Sequence, residues 1–367
     1  MILDLLFLVF GLALLVVSAD HFVLGAARVA TIVALPPIVI GAVVMGFGTS
    51  APELVVSTIA AGQDDLALGV GNVVGSNVAN LSLVLATAAL VTRMNVGTTA
   101  LRREAPLSIA ATIAVALVVV DGTVTRGEGA LLAVGLVGAI TYLIYAGGDN
   151  GLDELDEGTT TSREVVRVLL GLAGTVAAAQ LVVTGATGVA DRWGLSGGFV
   201  GFSLVALGTS LPELVTTLAA ARRHETELII GNLLGSNVFN SLAVGGGIGL
   251  VGPGVIGDDT LTGAGIALML IVAVGSFLLA LRGKFIGRGD GLVLLSLYVV
   301  AMVVLGFSES DDEESGMAVP PTVTGVVAAT DGGGTSLDKS SEGQLLGSTF
   351  WCMTSAAGDE VWTCSID

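Results

Sequence analysis

GTSAPELV, residues 48–55, returns as GTSLPELV at residues 208–215. A second pair follows at the same spacing, GNVVGSNVAN at 71–80 and GNLLGSNVFN at 231–240. The offset is 160 throughout, and 17 of the 33 positions from Gly48 to Asn80 are identical to their counterparts. Apolar segments resemble one another by composition alone. They do not preserve Thr, Ser, Pro, Glu, Gly and Asn at one fixed offset. The chain is an internal duplication.

Both copies lie in apolar surroundings. Of 367 residues, 53% are hydrophobic and 13% charged, and the mean hydropathy is +0.90. A soluble domain is about a quarter charged. Apolar runs at 5–19, 107–120, 262–281 and 291–307 suit the hydrocarbon core as helices. Barrel strands would be short and alternating. The expected fold is an all-α polytopic membrane protein. Ten transmembrane helices are expected, at about 2–24, 37–61, 66–91, 105–121, 128–146, 165–189, 196–221, 227–250, 262–281 and 289–307. Five per half is an odd number, so the second half enters the membrane upside down. Two inverted-topology five-helix repeats of this kind are found in many secondary transporters. Residues 1–146 form the first repeat, with its motif at 46–80. An acidic cytoplasmic linker follows at 147–163. Residues 164–307 form the second repeat, with its motif at 206–240. The acidic tail at 308–367 is rich in Ser and Gly and is expected to be disordered over much of its length.

Charge orients the chain. Eleven of its 14 basic residues fall on alternate loops: Arg28; Arg93, Arg102 and Arg103; Arg163 and Arg167; Arg222 and Arg223; Arg282, Lys284 and Arg288. That side is expected to be cytoplasmic, which puts both termini of this multi-pass protein outside the cell membrane. The net charge of −18 argues against a nucleic-acid partner; the lipid bilayer is the expected surroundings. The N-terminal apolar run has no basic region before it and reads as the first span, not a removed signal. The two cysteines, Cys352 and Cys364, both lie in the tail, and the sequence leaves open whether they pair. Asp20 and His21 read as surface or packing residues. GRGD at 287–290 resembles a string of intramembrane aspartyl proteases, but it lies in a charged loop without a partner aspartate deep in another span. No nucleophile–base pair is visible, so an enzyme is not expected, and no cofactor is implied.

A carboxylate at the bilayer centre costs about 2.5–3.5 kcal/mol on insertion scales. Glu53 and Glu213 are the acids well inside expected spans. Thr49 and Ser50 precede Glu53 by four and three residues, and Thr209 and Ser210 precede Glu213 likewise, so each trio shares a helix face. This cluster offers oxygen ligands alone, which suits hard cations such as Ca²⁺ and Na⁺. Pro52 and Pro212 lack an N–H and clash with the carbonyl four residues back. The carbonyls of Gly48 and Gly208 therefore lose their helix partners, and freed carbonyls around 46–48 and 206–208 are candidate ligands. Asn72, Ser76 and Asn80, spaced by four, form a polar stripe matched by Asn232, Ser236 and Asn240. Ser76, Asn80, Ser236 and Asn240 are assigned to the site. Gly71, Gly75, Gly231 and Gly235 are expected to pack helices. Asn77 and Asn237 point elsewhere and are expected to cap the broken helices.

GTSAPE with GNVVGSN, repeated as GTSLPE with GNLLGSN, resembles the α-repeats of the cation/Ca²⁺ antiporter superfamily, and most of all the prokaryotic sodium/calcium exchangers. The resemblance covers residues 1 to about 307. It implies that Glu53 and Glu213 bind Ca²⁺ and Na⁺ in alternation. It also implies ligands at Thr49, Ser50, Thr209, Ser210, Ser76, Ser236, Asn80 and Asn240 and at the carbonyls of Gly46 and Ala206. Some relatives carry Asp at the position of Asn240, so this site has two acids instead of three. The implied function is secondary-active exchange of Na⁺ for Ca²⁺ by alternating access, with Ca²⁺ normally extruded and the first and sixth spans moving. H⁺/Ca²⁺ antiport is the alternative, because apposed carboxylates raise each other's proton affinity. A cation channel is a further rival.

Overall fold

The computed structural model describes residues 2–33, 35–146, 161–192, 208–316, 340–345, 348–354 and 362–366. The chain divides into two units, Met1–Ser308 and Glu309–Asp367. The first is helical. It begins with α1 (Ile2–Ile32), the bent pair α2 (Pro37–Thr49) and α3 (Ala51–Gly62), and α4 (Leu66–Val91). Then come β1 (Met94–Asn95), α5 (Thr98–Arg102), α6 (Glu104–Val119), β2 (Thr123–Val124) and α7 (Arg126–Ala146). The second half holds α8 (Thr161–Arg192), α9 (Leu211–Arg222), α10 (Thr226–Val251), β3 (Gly254–Val255), α11 (Leu261–Gly283), β4 (Phe285–Ile286) and α12 (Arg288–Gly316).

Among the described residues, six helices are long and apolar enough to cross a membrane: those at Leu3–Ile32, Leu66–Val91, Arg126–Tyr145, Thr161–Gly185, Thr226–Val251 and Leu261–Gly283. The α2–α3 pair, bent by 43°, makes a seventh. Of the ten expected spans, α6 has 16 residues and α9 has 12 described residues. The first half of the seventh expected span, and the linker at 147–160, lie outside the described residues. Large apolar side chains such as Leu117, Leu131, Val134 and Leu170 are more than two-thirds exposed. An apolar exterior of this kind is covered by lipid. The protein is a multi-pass membrane protein.

The duplication holds residue for residue. The elements α3, α4 and β1 are matched by α9, α10 and β3 at an offset of 160. So is the break before each: Ser50 has φ −86° and ψ 9°, and Ser210 has φ −85° and ψ 2°. Asp64 and His224 both adopt left-handed backbone. β1 pairs antiparallel with β4, and β2 with β3, so each short ribbon joins one half to the other.

Glycines on both helices set the contact between α1 and α8. A Cβ on Gly11 or Gly25 would sit 2.9 Å from Val182 or Val168. A Cβ on Gly171 or Gly185 would sit 2.7 Å from the backbone of Phe22 or Leu8. These pairings run in opposite chain directions and exchange under the 160-residue shift. Small residues at such crossings let membrane helices approach closely. α1 extends eight residues past its expected end at 24, because its last turns are not left to lipid. Arg28 and Arg167 donate to the buried carboxylate of Glu164 at 3.2 and 2.6 Å. Asp20 ion-pairs with Arg223 through contacts of 2.8 and 2.6 Å. Asp290 of the GRGD string accepts from the backbone N–H of Gly287 at 3.0 Å and so closes the turn that starts α12.

At the centre lie α4 and α10, buried over 78% and 83% of their spanning windows. α2 crosses α10 at four glycines. A Cβ on Gly41 would come within 2.7 Å of the Leu228 carbonyl, and one on Gly46 within 2.7 Å of the Ser236 nitrogen. A Cβ on Gly231 would overlap the Ile38 carbonyl, and one on Gly235 the backbone of Ala42.

Within Glu309–Asp367, β5 (Ser340–Leu345), β6 (Ser348–Thr354) and β7 (Trp362–Ile366) form an antiparallel sheet in the order β5–β6–β7. The expectation of disorder over much of the tail falls mostly on residues outside those described, at 317–339, 346–347 and 355–361. The short runs STFWCMT and WTCSI carry the aromatic and β-branched residues that favour strands. Cys352 and Cys364 are direct register partners across β6 and β7.

Candidate functional site

The site forms where the helix breaks of one half meet the central helix of the other. α2 ends at Thr49, the chain leaves helical geometry at Ser50, and α3 restarts at Ala51. Pro52 therefore sits in the first turn of a new helix, where a missing N–H is tolerated. Glu53 follows it in that turn, at the electropositive end of the helix dipole. Ser210, Pro212 and Glu213 repeat the arrangement at α9. Two π-helical segments, Asn80–Val84 and Asn240–Val244, begin at the two candidate asparagines. Such wide turns are rare and concentrate at functional sites.

Thr49, Ser50, Glu53, Ser76 and Asn80, with Thr209, Ser210, Glu213, Ser236 and Asn240, are all buried. Ser50 donates to Oε1 of Glu213 at 2.8 Å, across the two halves. Asn72 ties the same halves together. Its amide nitrogen donates to Ser57 at 2.9 Å and to the Glu53 carbonyl at 3.4 Å. Its oxygen accepts from Thr209 at 3.3 Å. Ser76 donates to the Asn72 carbonyl at 2.6 Å. Asn232 mirrors this by donating to Thr217 at 3.1 Å.

Several oxygens remain open. Both carboxylate oxygens of Glu53 and Oε2 of Glu213 are buried without a hydrogen-bond partner among the described residues. Ser210 Oγ, Asn80 Oδ1 and Asn240 Oδ1 are in the same condition. Neither glutamate makes a salt bridge among the described residues; the ion pairs there join Arg28, Arg167, Arg223 and Arg282 to other acids. An isolated buried carboxylate is strongly disfavoured, so each of these carboxyl groups needs a neutralising partner, a bound cation or a proton. Among the described residues no cluster of three or more His, Cys, Asp or Glu side chains is present that could hold a metal. The candidate site rests on two carboxylates and neutral oxygens.

Two expectations change here. The Gly46 carbonyl is not freed. It accepts from the Ser50 N–H at 3.2 Å and from the Ser236 hydroxyl at 3.2 Å. Pro52 removes the partner of residue 48 and leaves the 46-to-50 bond intact. Ala206 lies outside the described residues. Asn77 and Asn237 do not cap the broken helices. Asn77 donates to Ser241 at 3.1 Å, and Asn237 donates to the Asn77 carbonyl at 3.2 Å, so both join the halves. Sequence reasoning also passed over Ser57 and Thr217, which hold Asn72 and Asn232. Their signal was present, because both are hydroxyl residues at the 160-residue offset.

The "Putative antiporter CaxA" of Alkalimonas amylolytica is 38% identical over 306 residues, spanning 80% of this chain and 96% of that protein. The "Inner membrane protein YrbG" of Escherichia coli is 34% identical, over 81% of this chain and 95% of its own length. The "Sodium/calcium exchanger MaX1" of Methanosarcina acetivorans is 28% identical, over 82% and 97%. A solved structure of the sodium-calcium exchanger NCX_Mj, soaked with Na⁺ and Sr²⁺, superposes with a TM-score of 0.74 at 30% identity, covering 83% of this chain and 98% of that one. The family described as "Sodium/calcium exchanger protein" matches residues 3–145 and 164–307, and the chain belongs to it.

Proposed function

We propose that the protein is a secondary-active antiporter that exchanges Na⁺ for Ca²⁺ across the cell membrane and normally extrudes Ca²⁺. The observation that carries this reading is the pair Glu53 and Glu213. They are two buried acids from equivalent breaks, with open oxygens and no basic partner among the described residues. Two carboxylates neutralise one Ca²⁺. Thr49, Ser50, Ser76, Asn80 and their counterparts Thr209, Ser210, Ser236 and Asn240 supply the further oxygens that Ca²⁺ takes, about six to eight in all. Na⁺ uses the same oxygen ligands, so occupancy by one ion excludes the other. That exclusion is the basis of exchange. The transported ions are substrates, and the reading needs no cofactor and no enzymatic step. A single copy of the chain supplies both acids.

Alternating access follows from ten spans arranged as inverted five-helix halves around one central site. The glycine-packed α1–α8 pair is the unit we take to move. The two ribbons support the orientation. Arg93, Lys284 and Arg288 are exposed around β1–β4, whereas Asp121, Glu128, Asp258 and Asp259 surround β2–β3. The basic ribbon then faces the cytoplasm, and both termini lie outside.

The test is transport by the purified protein in liposomes under imposed gradients. An outward Na⁺ gradient is expected to drive Ca²⁺ uptake at least tenfold above the rate without a gradient. Uptake driven by a pH gradient alone would replace Na⁺ by H⁺. Steady Ca²⁺ flux with no counter-ion gradient would make the protein a channel.

A further inference from the structure

Asn80 is one of the oxygen donors in this proposal, yet an amide has a wrong end. Its nitrogen carries partial positive charge and repels a cation. Something has to decide which end faces the site, and a chain of hydrogen bonds outside the ligand set does so. It starts at the backbone carbonyl of Asn77, which can only accept. Asn237 Nδ2 donates to that carbonyl at 3.2 Å. The opposite end of the Asn237 amide is therefore its oxygen. That oxygen accepts from Asn80 Nδ2 at 3.1 Å. Asn80 in turn has its own oxygen on the far side, buried and with no hydrogen-bond partner among the described residues. Each assignment follows from the one before it and ends on a group of fixed polarity. Asn237 itself is fully buried, so solvent does not compete for its amide.

The equivalent link in the other half is not made. It would run from Asn240 Nδ2 to Asn77 Oδ1, but both atoms are without partners among the described residues. Asn77 instead donates to Ser241 at 3.1 Å and lies 3.6 Å from the sulfur of Met269. Only one of the two inward-facing asparagines is held in this way.

We propose that Asn237 is a positioning residue for the exchange reaction, acting through Asn80, whose amide oxygen it turns toward the transported cation. This rests on the exchanger reading above. Ca²⁺ uptake in liposomes would be measured as half-saturation and maximal rate for Asn237→Leu, Asn80→Ala and the double variant, with Asn237→Ser as the substitute should leucine prevent folding. Either change at 237 is expected to raise the Ca²⁺ half-saturation about tenfold and to leave the maximal rate within twofold. The double variant is expected to match Asn80→Ala alone, because a group acting through Asn80 has nothing left to act on. An aspartate at 80 has oxygen at both ends and no wrong end. In the Asn80→Asp background the change at 237 is therefore expected to shift half-saturation less than threefold. Multiplying losses in the double variant would overturn the inference, as would an Asn80→Ala variant with normal half-saturation. Both results leave exchange itself intact. Failure of the exchanger reading would show instead in the wild-type protein, as uptake indifferent to every imposed gradient.

Discussion

Glu53→Gln and Glu213→Gln are each expected to reduce Ca²⁺ transport at least a hundredfold while leaving the protein folded. Glutamine keeps the shape and one oxygen of each side chain and removes one negative charge. Two unit charges 4 Å apart interact by about 4 kcal/mol at an effective dielectric of about 20, which is roughly a thousandfold in binding. A divalent ion in direct contact would lose more. Part of that loss is offset, because the amide is less costly than a carboxylate to hold in a dry site. The same offset predicts the stability effect. Glu53 has no hydrogen-bond partner at either oxygen among the described residues, whereas Glu213 accepts from Ser50 at 2.8 Å. Without added Ca²⁺, Glu53→Gln is expected to melt at or above the wild-type temperature in detergent. Glu213→Gln gains less, because it weakens a charge-assisted bond. Saturating Ca²⁺ is expected to raise the wild-type melting temperature, by linkage worth about 2.7 kcal/mol at a hundredfold excess over Kd, and to leave both variants unmoved. Normal uptake and a normal Ca²⁺ shift in both would place the site elsewhere.

Much of this site was legible because the residues that mark it have few structural uses. A proline inside an apolar run, a carboxylate beside it and a glycine two residues before the break each admit a short list of conformations. Repetition at 160 residues shortens that list to one. The break at Ser50 and Ser210, the wide turns starting at Asn80 and Asn240, and the left-handed residues Asp64 and His224 all keep the repeat. What stayed hidden depends on partners more than 100 residues away. Proline chemistry predicts that the helix breaks, but not that the Ser236 hydroxyl reaches back to the Gly46 carbonyl. The spacing of Asn77 and Asn237 shows that they leave the ligand stripe. It does not show that they meet each other's half. The end of α1 was misplaced for a similar reason. Hydropathy stops at charged residues, whereas Arg28 is taken up by Glu164 from α8.

Gly231 and Gly235 of α10 are expected to tolerate no larger side chain, because an added Cβ at either meets the α2 backbone. Gly235→Ala would place a methyl group on the Ala42 backbone, and Gly231→Ala would place one on the Ile38 carbonyl. A flexible side-chain tip can move aside, but the backbone of a packed helix cannot do so locally. α2 and α10 would have to separate along their crossing. Overpacking costs about 1–3 kcal/mol in an ordinary core, and contact with backbone belongs at the top of that range or above it. The variant does start with an advantage, since alanine favours a helix over glycine by about 1 kcal/mol. Gly138→Ala isolates that advantage. Gly138 is an exposed residue of α7 whose added methyl meets no atom within 4 Å among the described residues. Gly138→Ala is expected to melt at or above the wild-type temperature, and Gly235→Ala to melt far below it or to fail to yield monodisperse protein. Transport is expected to fall further than stability explains. The same crossing holds Ser236 against Gly46, one residue along from the substituted position. A Gly235→Ala protein that melted and transported like the wild type would mean that α2 and α10 are not pressed together at this crossing, and that the geometry of the site is set by other contacts.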